Sequence, residues 1–384
     1  MRATTFRRKC EELIRLTVLC AAIVVFGVMT PSFSSAAGGE ETDIGAKIGQ
    51  MLLVGFRGLA ADEGSPVIRD IRAGRIGGVI LFDYDVPAAS PVRNIESPGQ
   101  VKELIAALQG AASVPLLVAI DQEGGRVSRL KESFGFPPSV SAQHLGSLDR
   151  IDMTKKSADT TAETLASLGI NLNFAPVVDL NTNPNNPVIG KLERSFSADP
   201  AVVTRQALAV IDSLHERGIL SAIKHFPGHG SSAADSHEGF VDITETWSPE
   251  ELIPFDQIIK AGKCDMVMTA HVFNEKLDPR WPATLSPEVM HILRDYMGYE
   301  GVVVSDDMQM KAISQSCGLE TAVERAVLAG VDILVFANNS VFEEDIASRA
   351  GAILERLVRE GAIPAGRIEA SYRRIMALKE RLRR

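Results

Sequence analysis

The sequence predicts an α/β fold, a (β/α)8 barrel of the TIM type in a single domain, and three observations predict it. Eight short runs rich in Val, Ile and Leu recur along the chain. They are mostly continuous rather than alternating, as parallel strands covered on both faces require. The segments between them carry apolar residues at three- and four-residue spacing, the mark of helices with one buried face. An open, doubly wound sheet is the alternative, because periodicity does not report closure.

In chain order the expected strands are Met51–Phe56, Gly78–Phe82, Pro115–Asp121, Ile170–Asp179, Ile219–His225, Met266–Val272, Gly301–Asp306 and Ile333–Ala337. Helices are expected around Val101–Leu108, Ala158–Leu168, Val202–Leu214, Leu252–Ile259, Val289–Tyr296 and Thr321–Leu328, with a further helix at Met308–Ile313. The stretch Phe342–Arg384 reads as a helix, a break at Gly361–Pro364, and a basic amphipathic helix. No Pro/Ser-rich linker interrupts residues 38–384, so one domain is expected there.

Residues 1–37 read differently. Arg2, Arg7, Arg8, Lys9 and Arg15 precede the apolar run Leu16–Met29, and small residues follow. That order is a secretory leader, and the run is shorter than the ~20 residues a spanning helix needs. An uncleaved N-terminal membrane anchor is the alternative. Removing five basic and two acidic residues with the leader takes the net charge from −9 to −12. Nothing in that balance suits a phosphate-tracking surface, so no nucleic-acid partner is expected. Cys264 and Cys317 remain: too few for a disulfide framework, with no Cys-x-x-Cys pair for zinc, and they are expected as buried thiols.

Polar residues gather where strands are expected to end. Asp121-Gln122-Glu123-Gly124-Gly125-Arg126 follows the third, Asn173 and Asp179 mark the fourth, Lys224 and His225 end the fifth, His271 lies late in the sixth, and Ser305-Asp306-Asp307 closes the seventh. The C-terminal ends of barrel strands are where such folds hold their active sites. Asp306 suits a nucleophilic carboxylate; alternatively, it or Asp307 caps the helix that follows. Asp235 and His237, two apart in a small-residue loop, suit a carboxylate supporting an imidazole acid/base; alternatively, the histidine is an incidental loop residue. His225, His229 and His237 could instead bind zinc, but their spacing is not a helical ligand pattern and Lys224 adjoins one of them, so no metal or cofactor is expected. Asp121, Arg129, Arg194, Lys224 and His225 would line a pocket with donors and acceptors suited to a polyhydroxylated ligand.

The segments I-D-Q-E-G-G-R-V-S-R-L, N-F-A-P-V-V-D-L, R-S-F, K-H-F-P-G-H-G-S-S-A-A-D-S-H and V-V-S-D-D-M together resemble the β-N-acetylhexosaminidases of glycoside hydrolase family 3, in that family's order from Ile48 to about Leu378. The resemblance implies a (β/α)8 barrel, a carbohydrate substrate, Asp306 as nucleophile, His237 as mobile acid/base with Asp235 its partner, and Asp121, Arg129, Arg194, Lys224 and His225 as contacts to an N-acetylglucosamine unit. Between Gly190 and Arg194 this chain carries two residues more than the family's usual I-G-x-R. A β-glucosidase or a phosphorylase on the same scaffold is the nearest alternative activity, and a non-catalytic exported sugar-binding protein the alternative of another class. With its leader the enzyme is expected to be exported, acting on wall-derived or other glycans.

Overall fold

The computed structural model describes residues 43–383, so the leader expected at 1–37 lies outside the described residues. Eight parallel strands close on themselves: β1 Leu52–Gly55, β2 Gly78–Leu81, β3 Leu117–Ile120, β4 Leu172–Asn173, β5 Leu220–Phe226, β6 Met266–Thr269, β7 Val302–Asp307 and β8 Ile333–Phe336. Each pairs with its neighbour in sequence, and β8 returns to β1 with Val335 opposite Leu53. Every residue of β1, β2, β3, β6 and β8 is buried. Inward side chains fill the barrel and outward ones meet the helices, which is why these runs never alternate.

The crossover helices start where the sequence supplies caps. Ser97 Oγ accepts the Gln100 N–H ahead of Pro98–Ala111, and Asp199 accepts the Ala201 N–H ahead of Pro200–Glu216. Both helices carry proline in the first position, where a missing N–H costs nothing. Pro200–Glu216 buries Val203, Ala207, Ile211 and Leu214 along one stripe. Each fully buried aliphatic residue there contributes roughly 1.5–3 kcal/mol. At the barrel's closed end, fully buried Asp332 accepts from Arg294 Nη2 and Ser371 Oγ, each at 2.7 Å. That pins the C-terminal helix Ala365–Glu380 beneath the strands.

Three expectations need correction. The fourth strand is two residues long rather than ten, because Pro176 has no N–H for the ladder, and beyond it only an isolated bridge pairs Val177 with Lys224. The sixth ends at Thr269; Val272–Phe273 instead pairs with Val241–Asp242, tethering the far end of the loop that carries His237. The helix expected at Met308–Ile313 is confined to Lys311–Ser314, the intervening residues forming a turn around the Asp307 carboxylate. Three helices of seven residues, Ile44–Gln50, Pro66–Arg72 and Ala142–Leu148, have no counterpart in the sequence reading, since two turns are too short to establish a period. Cys264 and Cys317 are both free and only partly buried. Among the described residues no helix is long and apolar enough to cross a membrane.

Candidate active site

A cavity of about 400 Å³ opens at the C-terminal ends of the strands. Asp121, Arg129, Arg194, Lys224, His225, Asp235, His237 and Asp306, all eight of the residues expected at a site, line it. They come from the loops after β3, β4 and β5 and from the ends of β5 and β7.

Its floor is an ionic chain. Lys224, with a side chain only 2% exposed, places Nζ 2.7 Å from Asp121 Oδ1 and 2.6 Å from Glu123 Oε1. Glu123 also receives Arg194 through both Nε and Nη2 at 2.7 Å, a bidentate pair. Burial alone would raise the Glu123 carboxyl, but Arg194 and Lys224 hold it well below the usual carboxylate range. Arg129 sits more loosely, 3.7 Å from Asp121 and 3.8 Å from Asp83. The two additional residues before Arg194 are absorbed in a turn closed by Lys191 N–H to Asn186 O and Glu193 N–H to Gly190 O. Leu192 at its tip joins the cavity wall and Arg194 still reaches the floor.

Behind the floor, fully buried Asp179 organises the loop after β5. Its Oδ1 accepts the backbone N–H groups of His225 and His229, and its Oδ2 accepts His225 Nδ1–H at 2.6 Å. Arginine only donates, so the 3.2 Å contact from Arg194 Nη2 makes His225 Nε2 the acceptor. His229 is engaged by Ser232 and Ser236, and burial followed by the neighbouring His225 lowers it to about 4. The glycines of this loop serve close packing: a Cβ on Gly230 would lie 1.7 Å from Leu180 O, and one on Gly228 would lie 2.6 Å from the Glu251 side chain. Phe226–Ser232 is buried throughout, whereas the stretch from Ala233 to Phe240 is more exposed.

At the mouth, Asp235 Oδ1 accepts both the backbone N–H and Nδ1–H of His237, each at 2.8 Å. The two-residue spacing is what lets one carboxylate oxygen hold both. The imidazole is 57% exposed. Its environment opposes the charge by desolvation, yet the Asp235 hydrogen bond and the charges of Asp306 and Asp235 prevail and raise its pKa above the ordinary histidine value. Asp306 projects from the end of β7. Burial would raise it, but the positive charge that His271, His225 and His237 carry once protonated at low pH and the Asp307 N–H hold it at about 2, so it is ionised at neutral pH. Asp307 is the residue that bonds loop backbone, accepting Gln309 N–H and Ala337 N–H, and burial raises it to about 6.

Sequence reasoning named Glu123 and Asp179 only among the polar residues at strand ends, without a role for either, and passed over Asp83. Glu123 had one available signal, its two-residue offset from Asp121 at a strand end. Asp83 had none. Among the described residues no group of three or more His, Cys, Asp or Glu side chains is disposed to hold a metal ion.

The profile of the Glycosyl hydrolase family 3 N terminal domain matches residues 43–378. The Beta-hexosaminidase A of Pseudoalteromonas piscicida is 37% identical over 338 residues, 80% of this chain and 54% of that protein. The Beta-hexosaminidase of Tolumonas auensis is 37% identical over 287 residues, 74% of this chain and 79% of that protein. Among solved structures, a glycoside hydrolase family 3 beta-N-acetylglucosaminidase from Paenibacillus sp. str. FPU-7 superposes with a TM-score of 0.81 at 36% identity, covering 89% of this chain and 63% of that one. The Beta-N-acetylhexosaminidase of Beutenbergia cavernae gives 0.77 at 30% identity, covering 89% and 100%. This chain thus spans little more than half of the Pseudoalteromonas relative and under two thirds of the Paenibacillus chain. A barrel with its polar groups at the strand C-termini, matched along nearly its whole described length, belongs to glycosyl hydrolase family 3.

Proposed function

We propose that this chain is an exo-acting, retaining β-N-acetylglucosaminidase that works through a covalent glycosyl-aspartate. The observation that carries the reading is that Asp306 and the His237–Asp235 pair line one cavity. Its size, about 400 Å³, lies low in the range of about 300–1,000 Å³ found for small-molecule sites and suits a terminal sugar. The names of the relatives, Beta-hexosaminidase and beta-N-acetylglucosaminidase, support the same substrate class.

In the first step an Asp306 carboxylate oxygen attacks C1 and the C1–O bond to the aglycone breaks. His237, its Nδ1–H held by Asp235, gives its Nε2 proton to the departing oxygen. In the second, His237 Nε2 takes a proton from water, the oxygen attacks C1, and the bond to Asp306 breaks. Two inversions return the β configuration. The sugar hydroxyls would meet Asp121, Arg129, Arg194, Lys224 and His225, a lining that both donates and accepts. Swinging of the exposed 233–240 stretch would bring the imidazole over the bond. From the leader-like residues 1–37 we further propose an exported enzyme acting on wall-derived or other N-acetylglucosamine-bearing glycans.

The test is a panel of aryl β-glycosides (N-acetylglucosaminide, N-acetylgalactosaminide, glucoside) with and without inorganic phosphate. Release is expected fastest from the N-acetylglucosaminide and independent of phosphate. Preference for the glucoside, or turnover requiring phosphate, would replace the reading with one of its alternatives.

Asp235→Asn keeps the shape but removes the charge that supports imidazolium. A drop of about 10²-fold in kcat/KM is expected. The acid form of His237 should then be lost at lower pH, so the alkaline limb of the kcat/KM profile moves downward. An unmoved limb would dissociate Asp235 from the proton transfer.

A further inference from the structure

His271 lies two residues beyond β6, is 1% exposed, and is absent from the cavity wall. Its Nε2 stands 2.9 Å from the backbone carbonyl oxygen of Asp307. A carbonyl oxygen only accepts, so Nε2 carries a proton and donates it there. On the other side of the ring, Nδ1 is 2.8 Å from Thr284 Oγ1, and that hydroxyl is itself fixed at 2.9 Å from both Ala270 O and Thr269 Oγ1. The imidazole is therefore gripped at both nitrogens by groups that are buried. Burial lowers its pKa, with the Asp306 charge pulling the other way.

The residue it grips, Asp307, directly follows Asp306 and also contacts its carboxylate. The nucleophile's own carboxylate accepts the Asp307 N–H at 2.8 Å, and the Asp307 side chain anchors the next turn through Gln309 N–H and Ala337 N–H. Residue 307 is thus held at its N–H, its carboxylate and its carbonyl, and the carbonyl hold comes from His271. Thr269 and Ala270 precede the imidazole on β6 or just beyond it, so the clamp runs from one barrel strand across to the next.

We infer that His271 is a positioning residue that aims Asp306 at the anomeric carbon by fixing the backbone of the adjoining residue, Asp307. The inference rests on the nucleophilic role proposed for Asp306. A misplacement of about 1 Å at the reacting centre costs on the order of 10²-fold in rate, so a clamp of this kind acts on turnover more than on ligand affinity. Ground-state binding of a sugar is left to the ionic floor, which other strands supply.

The experiment measures kcat, KM and the inhibition constant of free N-acetylglucosamine for the wild type, His271→Ala, His271→Gln and Thr284→Val on an aryl β-N-acetylglucosaminide. His271→Ala is expected to lose about 10²-fold in kcat/KM, with the inhibition constant within about threefold of wild type. His271→Gln offers an amide N–H toward the same carbonyl and should recover at least tenfold of that loss. Thr284→Val releases only the Nδ1 side and should cost about tenfold in kcat, again without weakening the inhibitor. His271→Ala within threefold of wild type, a Gln variant no better than Ala, or inhibitor affinity falling in step with rate would each overturn the assignment. Should His271→Ala fail to fold, an unchanged kcat in both other variants overturns it equally. A wild type inactive on every glycoside of the panel would remove the functional reading and this inference with it, an outcome distinct from an active wild type with indifferent variants.

Discussion

Asp306→Ala is expected to lower turnover of an aryl β-N-acetylglucosaminide by on the order of 10⁴–10⁶-fold, the loss that follows removal of a catalytic nucleophile. Against burial, the charge of three histidines protonated at low pH and a backbone N–H set its pKa at about 2, so the carboxylate is ionised at neutral pH. The fold should survive, because the contacts that secure the end of β7 belong to Asp307. Added azide provides the discriminating measurement: occupying the space vacated by the carboxylate, it should restore aglycone release and yield the α-glycosyl azide by a single inversion. Wild-type turnover in Asp306→Ala, or a β-azide product, would remove Asp306 from the mechanism. Because the folded pKa is depressed below the unfolded value of about 3.9, the carboxylate's contribution to stability is present above that value and is lost as pH falls through about 2.

Glu123→Ala is expected to be the most disruptive change in the ionic floor. Lys224 and Arg194 side chains are 2% and 10% exposed, and Glu123 is the carboxylate they share. Removing one partner of a buried ion pair leaves charge without compensation, typically at a cost of about 3–5 kcal/mol. Urea denaturation should register a loss of that size, with kcat/KM falling alongside as Lys224 and Arg194 lose their fixed positions. Glu123 is held below its ordinary pKa by the two cations, so its stabilisation is present above the unfolded value of about 4.3 and vanishes only as pH falls well below it. The difference between wild type and variant should therefore be the same at pH 5 and pH 8. A loss under about 1 kcal/mol would mean that Asp121 alone suffices to hold Lys224.

Much of this arrangement was legible in the residues. All eight barrel strands announce themselves as continuous apolar runs, and the polar groups at five of their ends mark one face of the barrel. Asp235 and His237 could be paired because an aspartate two residues before a histidine reaches both its N–H groups without help from the rest of the fold. Glu123 could not be assigned the same way. Its partners, Arg194 and Lys224, lie 71 and 101 positions away, and no local pattern reports a pairing over that distance.

The glycines around His229 show the limit from the other side. In His225-Phe-Pro-Gly-His-Gly230 the residues alone do not show that Gly230 is packed against Leu180 O and Gly228 against Glu251. Composition cannot distinguish a glycine that must bend from one that must be small. Periodicity, caps and strand-end chemistry are local properties, and they were enough for the alternation of strands and helices, for the strand ends where polar groups gather and for the Asp235–His237 pair. Closure of the sheet, the sharing of Glu123 between two cations, the rigid backing of the histidine loop and the grip of His271 on the Asp307 carbonyl arise only when distant segments are buried together, where an unpaired charge or carbonyl is costly and each must find a partner in space.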